Sequence, residues 1–340
     1  LPELIRQYGV VSPASLVGDL SGITKNENID GFWRVNPKYS SKFEAFVPIQ
    51  NGCNKFCTFC AVPYTRGREV SRDSNEILEE VKRLVSEDYK SITLLGQNVN
   101  SYGLDKKGKE ITFPELLKKI GEIGKESDKE FWVYFTSPHP RDMTAEVIEI
   151  ISQYDCLAKQ IHLPIQSGDN KVLIKMNRKH PVEKYRQIVE VIRRLIPEAT
   201  LFTDIIVGFT GETDEQFENT RKIMDEFRYN MAYIAQYSQR PGAVSSRWID
   251  DVPREVKKAR FHQLSNDLRK YSAAHNRDMI GRNYKVLVTG KDRKKGFLSA
   301  LTEGKIVSRF QSDNDELIGE FVTIKIISST DLSVEGELVN

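Results

Sequence analysis

Hydrophobic and polar positions along this chain follow two alternating rhythms. Short runs rich in β-branched and aromatic residues occur at 44–50, 91–95, 131–136, 160–165, 201–207 and 231–237. Between them, apolar residues recur at helical spacing, as in Ile77, Leu78, Val81, Leu84 and Val85, and again in Tyr185, Ile188, Val189, Ile192 and Leu195. Side chains repeat about every 3.6 residues on a helix and every second residue on a strand, so the rhythms mark two element types. Helix-start signals agree. Asp73 and Ser74 precede the first periodic stretch, and Thr213-Asp214-Glu215 opens the last. Six strand–helix units in a row predict an α/β fold, with a parallel sheet and helical crossovers curled like part of a barrel.

The rhythm then changes. Residues 250–280 read as one polar helix carrying Arg254, Lys257, Lys258, Arg260, Arg269, Lys270 and Arg277 against Glu255, Asp267 and Asp278. From about Arg282, the runs 284–288, 305–310 and 321–327 alternate like strands between Gly290, Gly296, Gly304 and Gly319. That pattern predicts a small antiparallel β-barrel of roughly 60 residues. Residues 1–40, with Pro2, Pro13 and Pro37 among Gly, Ser and Asn, read as a peripheral segment. Single cores stop growing near ~250–300 residues, so a chain of 340 fits more than one domain.

Composition narrows the classes. With 39% hydrophobic and 29% charged residues, wholesale disorder and collagen-like repeats are excluded. No apolar run approaches the ~18 residues of a membrane helix. The opening Leu1-Pro2-Glu3-Leu4-Ile5-Arg6 does not read as a signal peptide. A cytoplasmic protein without a membrane partner is expected. A net charge of +2 neither demands nor excludes nucleic acid, because clustering decides. Four cysteines do not make a disulfide scaffold.

Three of those cysteines stand together in Gly52-Cys53-Asn54-Lys55-Phe56-Cys57-Thr58-Phe59-Cys60, in the loop after the first strand. Cysteine thiolates are the usual ligands of iron–sulfur clusters, and three of them can hold three irons of a [4Fe–4S] cube while the fourth iron stays open. Zinc is the alternative, but a structural zinc takes four ligands. The fourth cysteine, Cys156, lies about a hundred residues on and reads as a buried free thiol.

Parallel α/β barrels build their sites at the C-terminal ends of the strands. Here those ends carry the cysteine loop, then Gln97 and Asn98, then Ser137 and His139, then His162 with Gln166 and Ser167, then Asp204 with Gly208 and Gly211, then Arg240-Pro241-Gly242. Gln97, Asn98, Ser137, Gln166, Ser167 and Asp204 are therefore candidates to bind a cofactor. His139 and His162 stand open between structural and functional roles. Gly208 and Gly211 suit tight turns. Arg178 reads by default as a solvated helix-end charge, but its place after the fourth strand also suits a carboxylate-binding guanidinium.

The Cys53-x3-Cys57-x2-Cys60 motif is similar to that of the radical S-adenosylmethionine (SAM) enzymes. That resemblance implies an open iron that chelates SAM, one-electron cleavage of the S–C5′ bond, and a 5′-deoxyadenosyl radical. It places Phe59 against the adenine and offers Arg178 to the SAM carboxylate. The longer run from Phe46 to Arg72 resembles the methylthiotransferases. Within them, Leu94 to Gly103 looks like the branch acting on tRNA dimethylallyladenosine, the MiaB type, and residues 162–168 and Arg240-Pro241-Gly242 agree. Thr210 and Gln236 depart from the family pattern.

This resemblance implies a partial (βα)6 TIM-like radical SAM core over 41–275 and a small RNA-binding β-barrel, a TRAM domain, over 281–340. Residues 1–40 would be a remnant after an absent N-terminal domain that holds a second [4Fe–4S] cluster. The implied reaction adds a methylthio group to carbon 2 of N(6)-dimethylallyladenosine in the tRNA anticodon loop. A flavodoxin or ferredoxin would donate electrons, and the enzyme would be a monomer. Two alternatives are the same chemistry on a ribosomal protein, and a non-enzymatic RNA-binding protein with a metal. Arg282, Arg293, Lys294 and Lys295, beside the basic helix 254–277, are expected to touch phosphates, which position a nucleic acid rather than specify it.

Overall fold

The computed structural model describes residues 39–339 together with Trp33. The peripheral segment expected over 1–40 otherwise lies outside the described residues, apart from Tyr39 and Ser40. The strand β1 (Glu44–Pro48) leads into the cysteine loop, which a short ladder of β2 (Gln50–Asn51) with β3 (Val70–Ser71) closes. Beyond it run β4 (Ser91–Leu95), β5 (Trp132–Phe135), β6 (Gln160–His162), β7 (Thr200–Val207) and β8 (Met231–Gln236). All pairings among β1, β4 and β5 and among β6, β7 and β8 are parallel.

The two sheets join where Val133 exchanges backbone hydrogen bonds with Cys156 and Ala158, at 2.7 and 3.0 Å, just ahead of β6. The result is one curled wall in chain order, as the alternation of rhythms predicts. The strand expected over 160–165 stops at His162. Pro164 has no N–H for a ladder, and Gln166 turns to φ +74°.

The short α1 (Val62–Thr65) lies between β2 and β3, and the crossovers are α2 (Ser74–Ser86), α3 (Phe113–Glu126), α4 (Ala145–Gln153), α5 (Asn170–Lys175), α6 (Val182–Leu195) and α7 (Asp214–Phe227). Asp73 caps α2 by accepting from the N–H groups of Asn75 and Glu76. Thr213 and Gln216 form a reciprocal capping box on α7. One face of each strand is buried under these helices: Ala45, Val47, Ile92, Leu94, Val133, Phe135, Ile161, Leu201 and Ile205 pack with Ile77, Leu84, Leu116, Ile120 and Ile192. Successive side chains alternate between faces, so Phe46, Thr93, Tyr134, His162, Asp204 and Tyr233 line the inner face, the lumen.

Next comes α8 (Arg254–Asp278), whose 25 residues span about 37 Å. At its start Lys257 donates to the Tyr237 carbonyl at 3.1 Å, and near its end Asn276 donates to the Thr330 carbonyl at 2.9 Å. Part of its charge is spent inside the fold. Lys257 pairs with Asp250 at 2.6 Å, and Arg260 is buried between Glu212 and Asp214. Lys270 pairs with Asp267 and Arg269 with Asp331. Lys257 and Arg260 thus hold the fold together, while Arg254, Lys258 and Arg277 stay exposed.

The second unit is a closed barrel of β9 (Asn283–Lys291), β10 (Phe297–Thr302), β11 (Val307–Gln311), β12 (Phe321–Ser329) and β13 (Val334–Leu338), in the order β10-β11-β13-β12-β9. β10 and β13 were not among the expected runs. Four pairings are antiparallel, but β11 and β13 run parallel. Five strands cannot alternate direction around a closed ring, so one parallel pair is unavoidable. The interior is Val286, Val288, Leu298, Ala300, Phe310, Ile324, Ile326 and Val334.

This barrel docks on the N-terminal ends of the core strands, opposite the cysteine loop. The turn at 303–305 reaches in. The Glu303 carbonyl accepts from the Tyr134 hydroxyl at 3.1 Å, its carboxylate from the Lys159 N–H at 2.9 Å, and the Gly304 carbonyl from the Thr200 hydroxyl at 2.7 Å. A Cβ on Gly304 would meet Thr200 Cγ2 at 2.5 Å. Trp132 packs on Phe321 with ring centroids 4.5 Å apart.

Candidate functional site

The cysteine loop has a shape that its residues enforce. Gly52 takes φ +77°, and a Cβ there would lie 2.0 Å from the Arg68 carbonyl oxygen, so only glycine fits. The Gly52 N–H donates to Gln97 Oε1 at 2.6 Å, and the Cys53 N–H to the Gly67 carbonyl at 3.1 Å. From the other side, Asn177 Nδ2 donates to the Phe56 carbonyl at 2.8 Å, and the Thr58 N–H to the Met176 carbonyl at 3.0 Å. The Thr58 carbonyl accepts from the Ser245 N–H at 2.8 Å. Three separate parts of the core thus hold one loop.

Cys53 and Cys57 are 8% and 7% exposed, Cys60 is half-buried, and all three are free. Burial pushes the Cys53 thiol up to about 12 and also raises Cys60. Repulsion from Cys57 adds to both, so the sulfurs are near one another. Three cysteines with no fourth protein ligand beside them among the described residues suit a cluster, in which each iron takes its own sulfur, better than a structural zinc, which takes four ligands. A cluster also supplies the positive charge that buried thiolates lack.

Arg178 is buried at 5% exposure, which corrects its default reading as a solvated charge. Its Nη1 lies 3.6 Å from Cys57 Sγ, its Nη2 donates to the Pro164 carbonyl at 2.6 Å, and its Nε has no partner. Beneath the loop, Lys55 forms a buried ion pair with Asp142, which also accepts from Arg141 Nε at 2.9 Å. Burial pushes the Asp142 carboxyl up, but these two cations outweigh it and leave the group below its ordinary range. Asn98 Nδ2 donates to Glu69 at 3.1 Å and to Ser101 at 2.6 Å. The His139 and His180 rings stand edge-on at 5.5 Å. Burial, with Arg178 nearby, lowers His180 to about 3 and His139 further still, so both rings are neutral.

The remaining expected residues divide. Phe59 is half-buried and meets Phe209 edge-on at 6.5 Å, alongside Met176 and Tyr237. Gln97 and Asn98 spend their side chains on the loop and its support. Ser137, at φ +57°, is exposed at the end of β5. Gln166 is buried, and its backbone bridges the Asp204 carbonyl at 2.8 Å and the Ile206 N–H at 2.9 Å. Ser167 is turned toward α7: its hydroxyl accepts from the Asp169 N–H at 3.2 Å and lies 3.4 Å from Thr220 Oγ1. Asp204 holds His162 Nε2 at 2.9 Å, and the His162 ring stands 5.7 Å from that of Tyr233. Sequence reasoning missed Lys55, Glu69, Asp142, His180 and Tyr233. The one available signal was Lys55, a lysine inside the cysteine motif.

The cationic residues of the second unit are not brought together. Arg282 precedes β9, while Arg293, Lys294 and Lys295 follow its other end, about 30 Å away over its nine residues. Lys294 pairs with Glu335 at 3.2 Å and lies 3.7 Å above the Phe297 ring. Arg293 and Lys295 are exposed.

The chain is similar to known proteins. Residues 47–224 match the radical SAM superfamily, and residues 277–339 match the TRAM domain. The chain is 46% identical over 316 residues to a tRNA-2-methylthio-N(6)-dimethylallyladenosine synthase of Clostridium botulinum (strain Langeland), covering 92% of this chain and 68% of that protein. It is 43% identical over 297 residues to the protein of the same name from Bacteroides fragilis (strain YCH46), covering 86% and 64%. The chain therefore spans about two thirds of the length of these relatives. A solved coproporphyrinogen III oxidase from Escherichia coli, a radical SAM enzyme, aligns with TM-score 0.51 at 13% identity, over 81% of this chain and 70% of that chain. That likeness speaks for the fold alone.

Proposed function

The chain belongs to the radical SAM superfamily and, within it, to the tRNA-2-methylthio-N(6)-dimethylallyladenosine synthases, and from that premise we propose that it is the SAM-cleaving and RNA-binding part of an enzyme that methylthiolates carbon 2 of N(6)-dimethylallyladenosine in the tRNA anticodon loop. The [4Fe–4S] cluster and SAM together supply a carbon radical able to attack an unactivated position. Cys53, Cys57 and Cys60 would hold that cluster, in a loop held by Gln97, Met176, Asn177 and Ser245. Phe59 and Gln166 remain candidates for SAM, with Ser137 at the rim. Asp204 is better used on the substrate side, because it already orients His162.

The target base must leave the anticodon stack to reach a radical. The exposed rings of Phe46 and Tyr233 face the lumen and offer stacking surfaces, with the His162–Asp204 pair beside Tyr233. Residues 41–275 form the catalytic unit and 281–340 the RNA-binding unit, whose Arg282, Arg293 and Lys295 would meet phosphates. An electron donor such as flavodoxin or ferredoxin, a monomeric state and a cytoplasmic location belong to the same proposal. Among the described residues no helix is long and apolar enough to cross a membrane.

The cysteine trio carries this reading. Iron and sulfide are to be counted after anaerobic reconstitution, and SAM cleavage followed under a strong reductant. About four of each per chain, with 5′-deoxyadenosine formed, is the expected result. Zinc in place of iron and no cleavage would leave an RNA-binding protein. Tight binding of a ribosomal protein but not of prenylated tRNA would shift the substrate.

A further inference from the structure

We infer that Arg178 sets the reduction potential of the cluster, as a permanent positive charge and hydrogen-bond donor at the sulfur of Cys57. The inference rests on Cys53, Cys57 and Cys60 being the iron ligands. A buried guanidinium is costly unless a negative partner compensates it. The two contacts of Arg178 are a carbonyl and a thiol sulfur, neither of them a carboxylate. Its Nε is buried with no partner at all.

Neighbouring groups cannot balance it. Asp142 is already shared between Lys55 and Arg141. Glu69 meets only neutral donors, Asn98 and the Asn54 N–H, and keeps its charge, but Asp142 and Glu69 are two carboxylates against the three cations Lys55, Arg141 and Arg178. His139 and His180 are uncharged and add no anion. The pocket behind Cys57 is therefore left with one cation too many, and the thiolate-bound cluster is the missing anion.

Reduction adds one electron from an external low-potential donor to a cluster that is already negative. A fixed positive charge and an N–H donor at a ligand sulfur stabilise the more negative state, which raises the potential. Arg178 also ties Cys57 to the segment after β6 through Pro164, so its placement does not depend on SAM being bound.

The test is an EPR-monitored redox titration of the reconstituted chain without SAM, comparing wild type, Arg178→Gln and Arg178→Lys. Arg178→Gln is expected to lower the reduced-to-oxidised ratio at a given potential about tenfold, a 59 mV shift for a one-electron couple. Arg178→Lys keeps the charge but cannot serve both Pro164 and Cys57, so its midpoint should fall between the two. A purely structural role would change cluster content and leave the midpoint alone. Full cluster content in Arg178→Gln with the wild-type midpoint overturns the inference. If Arg178→Gln assembles no cluster, Arg178→Lys decides: a lowered midpoint supports the inference and an unchanged one overturns it. Wild-type chain without iron would instead sink the cysteine assignment beneath it.

Discussion

The two ends of the core strands are finished to different degrees. At the N-terminal end, where the β-barrel docks, polar groups meet partners: Tyr134 and Lys159 reach Glu303, Thr200 reaches Gly304, and apolar Trp132 covers Phe321. At the C-terminal end, buried Gln50 Oε1, Asn98 Oδ1, His139 Nε2, Arg178 Nε, Thr210 Oγ1, Arg260 Nε and both His180 nitrogens have none. The other such atom among the described residues is Ser308 Oγ in the barrel. Native interiors satisfy nearly all their polar groups, so a concentration of exceptions marks where the protein is complete only with something bound. One end is built for cohesion and the other for ligands.

The sharpest way to break that contrast is to remove the buried charge pair beneath the cysteine loop. Asp142→Asn leaves Lys55 buried against a neutral amide. The expected loss is about 3–5 kcal/mol of unfolding free energy, because a stranded buried charge costs far more than a surface one. Denaturant titration measures it, and a loss below about 1 kcal/mol would mean that water reaches Lys55 and the end is not sealed. Next in size is the cohesive end. Gly304→Val pushes a side chain into Thr200, where a Cβ alone would lie 2.5 Å from a methyl carbon. Overpacking of this kind costs about 1–3 kcal/mol. Hydrogen exchange should rise at β10, β11 and the starts of β6 and β7, with iron content unchanged. Equal protection in the variant would show that the turn at 303–305 does not hold the two units together.

The cohesive architecture was largely legible in the sequence and the ligand end only in part, for a physical reason. Alternation of apolar periods reports burial, and burial is what the six strands and their helices share. The capping residues Asp73 and Thr213 are local signals, and both act as caps. The cysteine spacing is local too. What the sequence hides is long-range pairing. Lys257 and Arg260 look like members of an exposed stripe on α8 until Asp250, Glu212 and Asp214 are brought against them. Arg178 looks solvated until folding sets Cys57 beside it from 121 positions away. Ser167 looks like a site residue until Thr220 arrives from α7. β10 and β13 escaped because short, half-polar barrel strands carry weak periodicity, and ring closure rather than pattern fixes their pairing.

The smallest effect expected is at the RNA-binding barrel, and it tests whether that unit has a ligand face of its own. The turn between β9 and β10 lies at the end of β9 remote from the docked turn at 303–305, and Arg293 and Lys295 are exposed there. Lys294 is engaged by Glu335 and the Phe297 ring, which leaves less of it for a phosphate. Substituting Arg293 and Lys295 together by Ala should weaken tRNA binding. It should also flatten the plot of log affinity against log salt by roughly 0.7–0.9 for each phosphate no longer neutralised. Adding Lys294→Ala should change the slope little further. Arg282→Ala, about 30 Å away along β9, should act independently, so its effect should add to that of the pair. Binding measured at several salt concentrations reads all of this at once. An unchanged slope in the triple variant would remove the turn from the RNA path. A large extra effect from Lys294 would instead show that RNA displaces Glu335, making the turn a switchable contact rather than a static one.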